Sequence, residues 1–151
     1  MGDRGDITIR PPVPAEDAEA VAELLGELGY PNTPAFARAK LEVLSQRTDD
    51  WVRVAEHAGR VVGVAHLHAA ELFHQPRRVG RIMAVVVAAD CRRLGIGRAL
   101  MTALESLAEQ AGCIKLELTS AAHREDAHAF YASLGYSGGL EHFVKPIDSS
   151  G

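Results

Sequence analysis

Apolar and polar positions along the chain follow two periods, and the switches between them predict the elements. Ile7-Thr8-Ile9-Arg10 alternates and reads as a first strand, which Pro11, Pro12 and Pro14 end. Val21, Leu24, Leu25 and Leu28 then fall at i, i+3, i+4 and i+7, a helical stripe stopped by Gly29. Thr33-Pro34 has the form of an N-cap followed by proline at the first helical position, and Ala37, Leu41 and Leu44 carry a second stripe. Trp51–Glu56 and Val61–His68 predict two strands joined by a turn at Gly59. A further strand spans Val79–Ala88, and the unbroken apolar run from Ile82 to Ala88 marks its end as fully buried. Ile96, Ala99, Leu100, Ala103, Leu104, Leu107, Ala108 and Ala111 recur at helical spacing until Gly112. Ile114, Leu116 and Leu118 alternate with Lys115, Glu117 and Thr119, which predicts another strand. Ala127, Phe130, Tyr131 and Leu134 form the face of a last helix capped by Gly135, and Leu140–Pro146 is a final strand or strand pair.

The predicted order is β-α-α-β-β-β-α-β-α-β, an α/β sandwich around a mixed sheet. Tight hairpins make the early strands antiparallel, whereas the helical crossover from Val87 to Ile114 demands a parallel pair. A chain of 151 residues suits one domain with one core. We expect that domain over residues 7–147, between a disordered N-terminal tail of residues 1–6 and a short C-terminal tail of residues 148–151. No internal repeat or low-complexity linker interrupts it.

Charge and cysteine content narrow the function. No apolar run reaches membrane-spanning length, and Met1-Gly2-Asp3-Arg4-Gly5-Asp6 has no signal-peptide core, so a cytoplasmic protein without a membrane partner is expected. A formal net charge of −4 disfavours non-specific binding of nucleic acid. The basic residues are nonetheless clustered, in Arg77, Arg78 and Arg81 and in Arg92, Arg93 and Arg98. Cys91 and Cys113 are expected as reduced thiols. Cys113 opens a strand and reads as core. Cys91 precedes a helix N-terminus, a position that lowers a thiol pKa, although a structural role is the simpler assignment.

The second basic cluster carries the chemistry. Arg92-Arg93-Leu94-Gly95-Ile96-Gly97-Arg98 joins a core strand to the start of a long helix. Free backbone N–H groups of the first helical turn and the positive end of the helix dipole bind phosphate. The glycines let a ligand approach the backbone, and the arginines add charge and donors. A dinucleotide fingerprint would need a third glycine where Leu100 stands, and a phosphate loop of the nucleotide triphosphatase type would need Gly-Lys-Ser/Thr.

The pattern Arg92-x-x-Gly95-x-Gly97 after an apolar strand resembles the acetyl-CoA site of the GNAT N-acetyltransferase superfamily. Ala127-His128-Ala129-Phe130-Tyr131-Ala132-Ser133-Leu134-Gly135-Tyr136 is similar to that family's second hallmark, a helix carrying Phe-Tyr and ending in Leu-Gly-Phe/Tyr. The turn Ala58-Gly59-Arg60-Val61-Val62-Gly63 resembles its hairpin between the second and third strands, so the likeness spans Ile7 to Ile147. It implies a GNAT-like mixed, mostly antiparallel sheet with helices on both faces. It also implies a V-shaped gap between the parallel strands that takes the pantetheine arm. Acetyl-CoA would be the co-substrate and an amine acceptor the second partner, with direct transfer in a ternary complex and the protein a monomer or a homodimer.

Several residue roles follow from the resemblance alone. The backbone of Arg93, Leu94, Gly95, Ile96, Gly97 and Arg98 would cradle the pyrophosphate, with Arg92 near it. The Val85-Val86-Val87 strand segment would hold the pantetheine and polarise the thioester carbonyl. Tyr131 aligns with the general acid that protonates the leaving thiolate. Relatives carry an Asn near position 121; this chain has Ala121, with Ser120 or His123 as substitutes. Relatives also place a Glu base near position 81, where this chain has Arg81 and then Met83. His66, His68, Glu71 and His74 are the base candidates within reach, and a water chain is the other route. The His66-x-His68 spacing lacks a third ligand of clear spacing, so no metal is expected. The acceptor site would be built from Leu28–Thr33 and Gly138–Phe143, with Tyr30, Phe36, Glu71 and His142 lining it and Glu27, Glu71 and Glu141 drawing in a cationic amine. The expected activity is acetylation of a small-molecule primary amine. The alternatives are a protein or peptide N-acetyltransferase, a non-catalytic acyl-CoA-binding module and a nucleotide-binding regulatory domain.

Overall fold

A computed structural model describes residues 6–119, 125–138 and 145–147. The chain divides into two compact units, Met1–Thr119 and Ser120–Gly151. The first holds β1 (Ile7–Arg10), α1 (Pro14–Leu28), α2 (Pro34–Ser45), β2 (Asp50–His57), β3 (Arg60–Ala70), β4 (Arg78–Val87), α3 (Ile96–Gln110) and β5 (Cys113–Leu118), with a short 3₁₀ turn at Ala89–Cys91. The second holds α4 (Glu125–Ser133). The final strand expected at Leu140–Pro146 and the two expected tails fall largely outside the described residues.

Local chemistry sets the helix ends. Pro14 does more than stop β1: it opens α1, where its missing N–H costs nothing. Asp17 in the first turn accepts the Val13 N–H at 2.7 Å and takes both terminal nitrogens of Arg10 at 2.8 and 3.1 Å. Its hydrogen bonds from Arg10 hold the buried carboxyl below the usual carboxylate range, against the opposing push of burial. At the other end Gly29 takes the left-handed conformation with φ of 115°, and the Tyr30 N–H closes onto Leu25 O. Thr33 caps α2 by accepting the Phe36 N–H at 3.1 Å, with Pro34 behind it.

The five strands lie in chain order, antiparallel from β1 to β4 and parallel between β4 and β5. Helices cover both faces. On one face α3 sits close over Gly63, which lacks a Cβ, while Gly80 makes room for a side chain of β5. A Cβ at Gly63 would lie 3.0 Å from Leu100 and 3.1 Å from Ile96, and one at Gly80 would lie 2.6 Å from Leu116. That approach buries Ile96, Leu100, Met101 and Leu104 on the sheet face that carries Gly63 and Leu67. The opposite face bears Val54 and Val64, under α1 and α2 with their buried Val21, Leu24 and Leu41. Each such side chain contributes about 2 kcal/mol of transfer free energy.

Two irregularities in β4 matter for function. The β4–β5 pairing runs only from Arg78↔Cys113 to Ile82↔Leu118. Beyond it, Met83–Val87 has a strand partner on one side alone among the described residues, namely β3. At the same level a bulge inserts Met83 between the pairs His66↔Ala84 and Leu67↔Ile82.

Candidate active site

The basic loop is built as a rigid exit from β4. The Ala88 N–H bonds Val62 O at 2.8 Å, the Cys91 N–H closes the 3₁₀ turn onto Ala88 O, and the Ala89 N–H reaches Glu27 Oε1 at 2.9 Å. Arg60 ties the turn to the β2–β3 hairpin, with bonds to both carboxylate oxygens of Asp90 and to Cys91 Sγ. Arg93 and Gly95 then adopt positive φ, 73° and 86°, which swings the chain into α3. Ile96 anchors the helix start at 1% exposure while Leu94 stays 49% exposed.

That loop presents donors without acceptors. The first helical bond runs from Ala99 N–H to Gly95 O at 3.0 Å, so the N–H groups of Ile96, Gly97 and Arg98 precede it and have no partner within the helix. Among the described residues no hydrogen bond or ion pair engages the side chains of Arg92, Arg93 or Arg98, and all three are exposed. Beside the loop, β4 offers the half-paired edge of Met83–Val87, with Val86 buried and Val85 and Val87 half-buried. These features fit a ligand with a phosphate at one end and an extended amide chain at the other.

Cys91 departs from the expectation of a lowered pKa. Its thiol is 4% exposed beside Asp90, and burial followed by that carboxylate pushes it up. Burial pushes Cys113 up as well, so both cysteines are structural thiols.

A second polar cluster stands on the opposite sheet face from α3. Asp50↔His68, His68↔Arg81 and Arg81↔Glu117 are successive cross-strand pairs, so one row crosses β2, β3, β4 and β5. Asp50 Oδ1 accepts from His66 Nε2 at 2.8 Å and from His68 Nδ1 at 3.1 Å, and its Oδ2 accepts from Arg47 Nε at 2.8 Å. Side-chain exposure falls along the row from 57% at Arg81 to 32% at His68 and 5% at Asp50. Burial opposes ionisation of Asp50, but hydrogen bonds from His66 and Arg47 and the nearby imidazoles hold its carboxyl below the usual range. Arg81 carries Glu117 at 3.5 Å.

The remaining candidates are scattered. Glu71 is 81% exposed and lies 4.0 Å from Arg78, whose nearer carboxylate is Asp49 at 2.7 Å. His74 is exposed. Tyr30 and Phe36, 69% and 49% exposed, line an open groove of about 610 Å³ at the α1–α2 turn together with Leu25, Asn32 and Thr33. Glu27 is committed to the Ala89 backbone. Tyr131 lies in α4, edge-on to Phe130 at 5.2 Å and to Tyr136 at 6.2 Å, and burial pushes its hydroxyl above the usual tyrosine range. Ser120, Ala121, His123, Glu141 and His142 lie outside the described residues. Among the described residues no three His, Cys, Asp or Glu side chains are grouped to hold a metal ion. Nor is any described helix long and apolar enough to cross a membrane.

Sequence reading passes over Asp50, Arg47 and the Arg81–Glu117 pair. Asp50 sits in Thr48-Asp49-Asp50-Trp51, a polar turn before a strand. The only signal is that Asp50 opens a strand facing one that alternates two histidines, and its meaning depends on register.

Comparison with known proteins agrees with this geometry. Residues 19–136 match the acetyltransferase (GNAT) family model, so the chain belongs to that family. Members of it use acetyl-CoA as co-substrate. The chain is 36% identical over 95 residues to an aminoalkylphosphonate N-acetyltransferase of Salmonella typhimurium, a match over 63% of this chain and 62% of that protein. It is 33% identical over 124 residues to a glucosamine 6-phosphate N-acetyltransferase of Trypanosoma brucei, over 80% of this chain and 82% of that one. A solved Trypanosoma brucei acetyltransferase superposes with a TM-score of 0.78 at 29% identity, covering 94% of this chain and 100% of its own.

Proposed function

We propose that the protein transfers the acetyl group of acetyl-CoA to the primary amine of a small molecule that also carries a phosphonate or phosphate group. The observation that carries the transfer is the strand–loop–helix site. Among the described residues it combines N–H groups at Ile96, Gly97 and Arg98 without helical partners, exposed arginines without partners and a half-paired β4 edge. The two curated relatives named above, one acting on an aminoalkylphosphonate and the other on glucosamine 6-phosphate, support the acceptor class. So does Arg81, 57% exposed beside His68 and 3.5 Å from its nearest carboxylate, Glu117, a cation suited to a phospho group. The absence of a described membrane-spanning helix is compatible with the cytoplasmic location proposed for it.

The reaction runs by direct attack. In the family's mode the loop N–H groups hold the pyrophosphate, and the backbone of Val85 and Val87 positions the thioester and polarises its carbonyl. The acceptor ammonium gives one proton to a base, which passes it to solvent. Its nitrogen lone pair then attacks the thioester carbon, the C–N bond forms and the C–S bond breaks. The nitrogen sheds its second proton to solvent as the tetrahedral intermediate collapses, and the CoA thiolate takes one from Tyr131, which regains it from solvent.

Thiol release from acetyl-CoA across a panel of amines tests this reading. The panel holds 2-aminoethylphosphonate, glucosamine 6-phosphate, glucosamine, a polyamine and a lysine peptide. Release is expected with the phospho amines and to be at least about tenfold slower with glucosamine, which lacks the phosphate contact. Release confined to the peptide would replace the small-molecule reading. Tight CoA binding by calorimetry with no release from any acceptor would make the protein a non-catalytic acyl-CoA binder.

A further inference from the structure

We infer that His68 is the base that deprotonates the acceptor amine and that Asp50 is the positioning residue that makes it one; this rests on the acetyl-transfer reading above. An ionised carboxylate only accepts hydrogen bonds, so each imidazole on Asp50 Oδ1 donates a proton to it. That fixes two different tautomers. His66 donates from Nε2, which leaves its lone pair on Nδ1, next to its own backbone. His68 donates from Nδ1, which leaves its lone pair on Nε2, at the far tip of the ring. Of the two, His68 is also the more exposed, 32% against 20%.

The environment of that nitrogen is defined on every side that the described residues supply. Asp50 and Arg47 lie behind the ring, and His66 precedes it on β3. Across the sheet stand Arg81 on β4 and its partner Glu117 on β5. On the same sheet face α1 and α2 bury the apolar Val21, Leu24, Ala37 and Leu41, and the one buried acid among the described residues of these helices, Asp17, is taken by Arg10. Arg47 neutralises part of the Asp50 charge without occupying Oδ1, so that oxygen remains the anchor for His68 and the stabiliser of its imidazolium. Arg81, the β4 member of the row, lies one residue before Ile82, the last β4 residue paired with β5, and two before the bulge at Met83. The balance is simple: His68 Nε2 accepts one proton from the acceptor ammonium and releases it to water, while Asp50 keeps its charge throughout.

The test is a pH profile of kcat/KM with the best phospho amine, in the intact protein and in three variants, beside CoA affinity by calorimetry. Asp50→Asn should lower kcat at neutral pH at least about tenfold and move the acid limb of the profile to lower pH, because the imidazolium loses its counter-charge. CoA affinity should be unchanged in it. His68→Gln should erase the acid limb and restore it partly when imidazole is added. His66→Gln should lower kcat less than His68→Gln does. A folded Asp50→Asn protein with the parent rate and acid limb overturns the inference and leaves the acetyltransferase reading standing. If Asp50→Asn does not fold, His68→Gln decides alone, and an intact acid limb in it overturns the assignment. Absence of acetyl transfer in the parent protein overturns the underlying reading instead.

Discussion

The basic loop and the polar row lie in the same unit and are built on opposite principles. The loop, Arg92–Arg98, is proposed to work because its groups have no partners among the described residues: backbone N–H donors at a helix start and exposed arginines. The row works because its deepest member is fully satisfied, Asp50 holding two histidines and an arginine at 5% exposure. An exposed cradle leaves its donors free for a ligand that brings its own charge. A buried carboxylate costs several kcal/mol unless every oxygen is bonded, so it is retained only with its partners in fixed places. The first is a binding device and the second an orienting one, so they should fail differently.

The largest effect is expected from Gly97→Glu. A bulky carboxylate in the first turn of α3 repels phosphate and fills the space above the free N–H groups. CoA affinity should fall by about a thousandfold by calorimetry while the melting temperature moves little. Retained affinity would mean that the loop is not the cofactor cradle. Tyr131→Phe comes next. Turnover should fall by about a hundredfold at constant CoA affinity, because the aromatic body remains and only the proton donor is lost. Equal losses in both quantities would make Tyr131 a packing residue. The smallest effect is expected from Arg98→Ala. One exposed charge contributes about 1 kcal/mol, so CoA should bind about fivefold more weakly, and the difference should shrink in high salt. A salt-independent loss would show that Arg98 orders the loop and does not meet the phosphate.

How much of this was legible beforehand differs between the same two regions. The loop was readable because its requirements are local. Arg92-x-x-Gly95-x-Gly97 sits between an apolar run and a helical stripe, and Gly95 does take the positive φ that the turn into α3 needs. The helix caps at Thr33 and Gly29 were readable for the same reason. At Cys91 the helix-start signal for a lowered pKa loses to burial, which leaves the structural role. Proximity to a helix start is visible in sequence, but burial beside Asp90 is not. The histidines stood out as residues, yet nothing local separated His66 and His68 from the exposed His74 and Glu71.

The sequence by itself determined the described elements, their order, the parallel crossover and the basic, glycine-bearing turn, because hydrophobic period, proline, glycine and capping side chains act over a few residues. Tertiary structure alone decided that Asp50 faces His68, that Arg81 pairs with both His68 and Glu117 in the same row, and that β4 parts from β5 after Ile82. Those facts depend on strand register and on the bulge at Met83. A slip of one residue would send each side chain to the other face, and register is set by how the whole sheet packs against α1, α2 and α3.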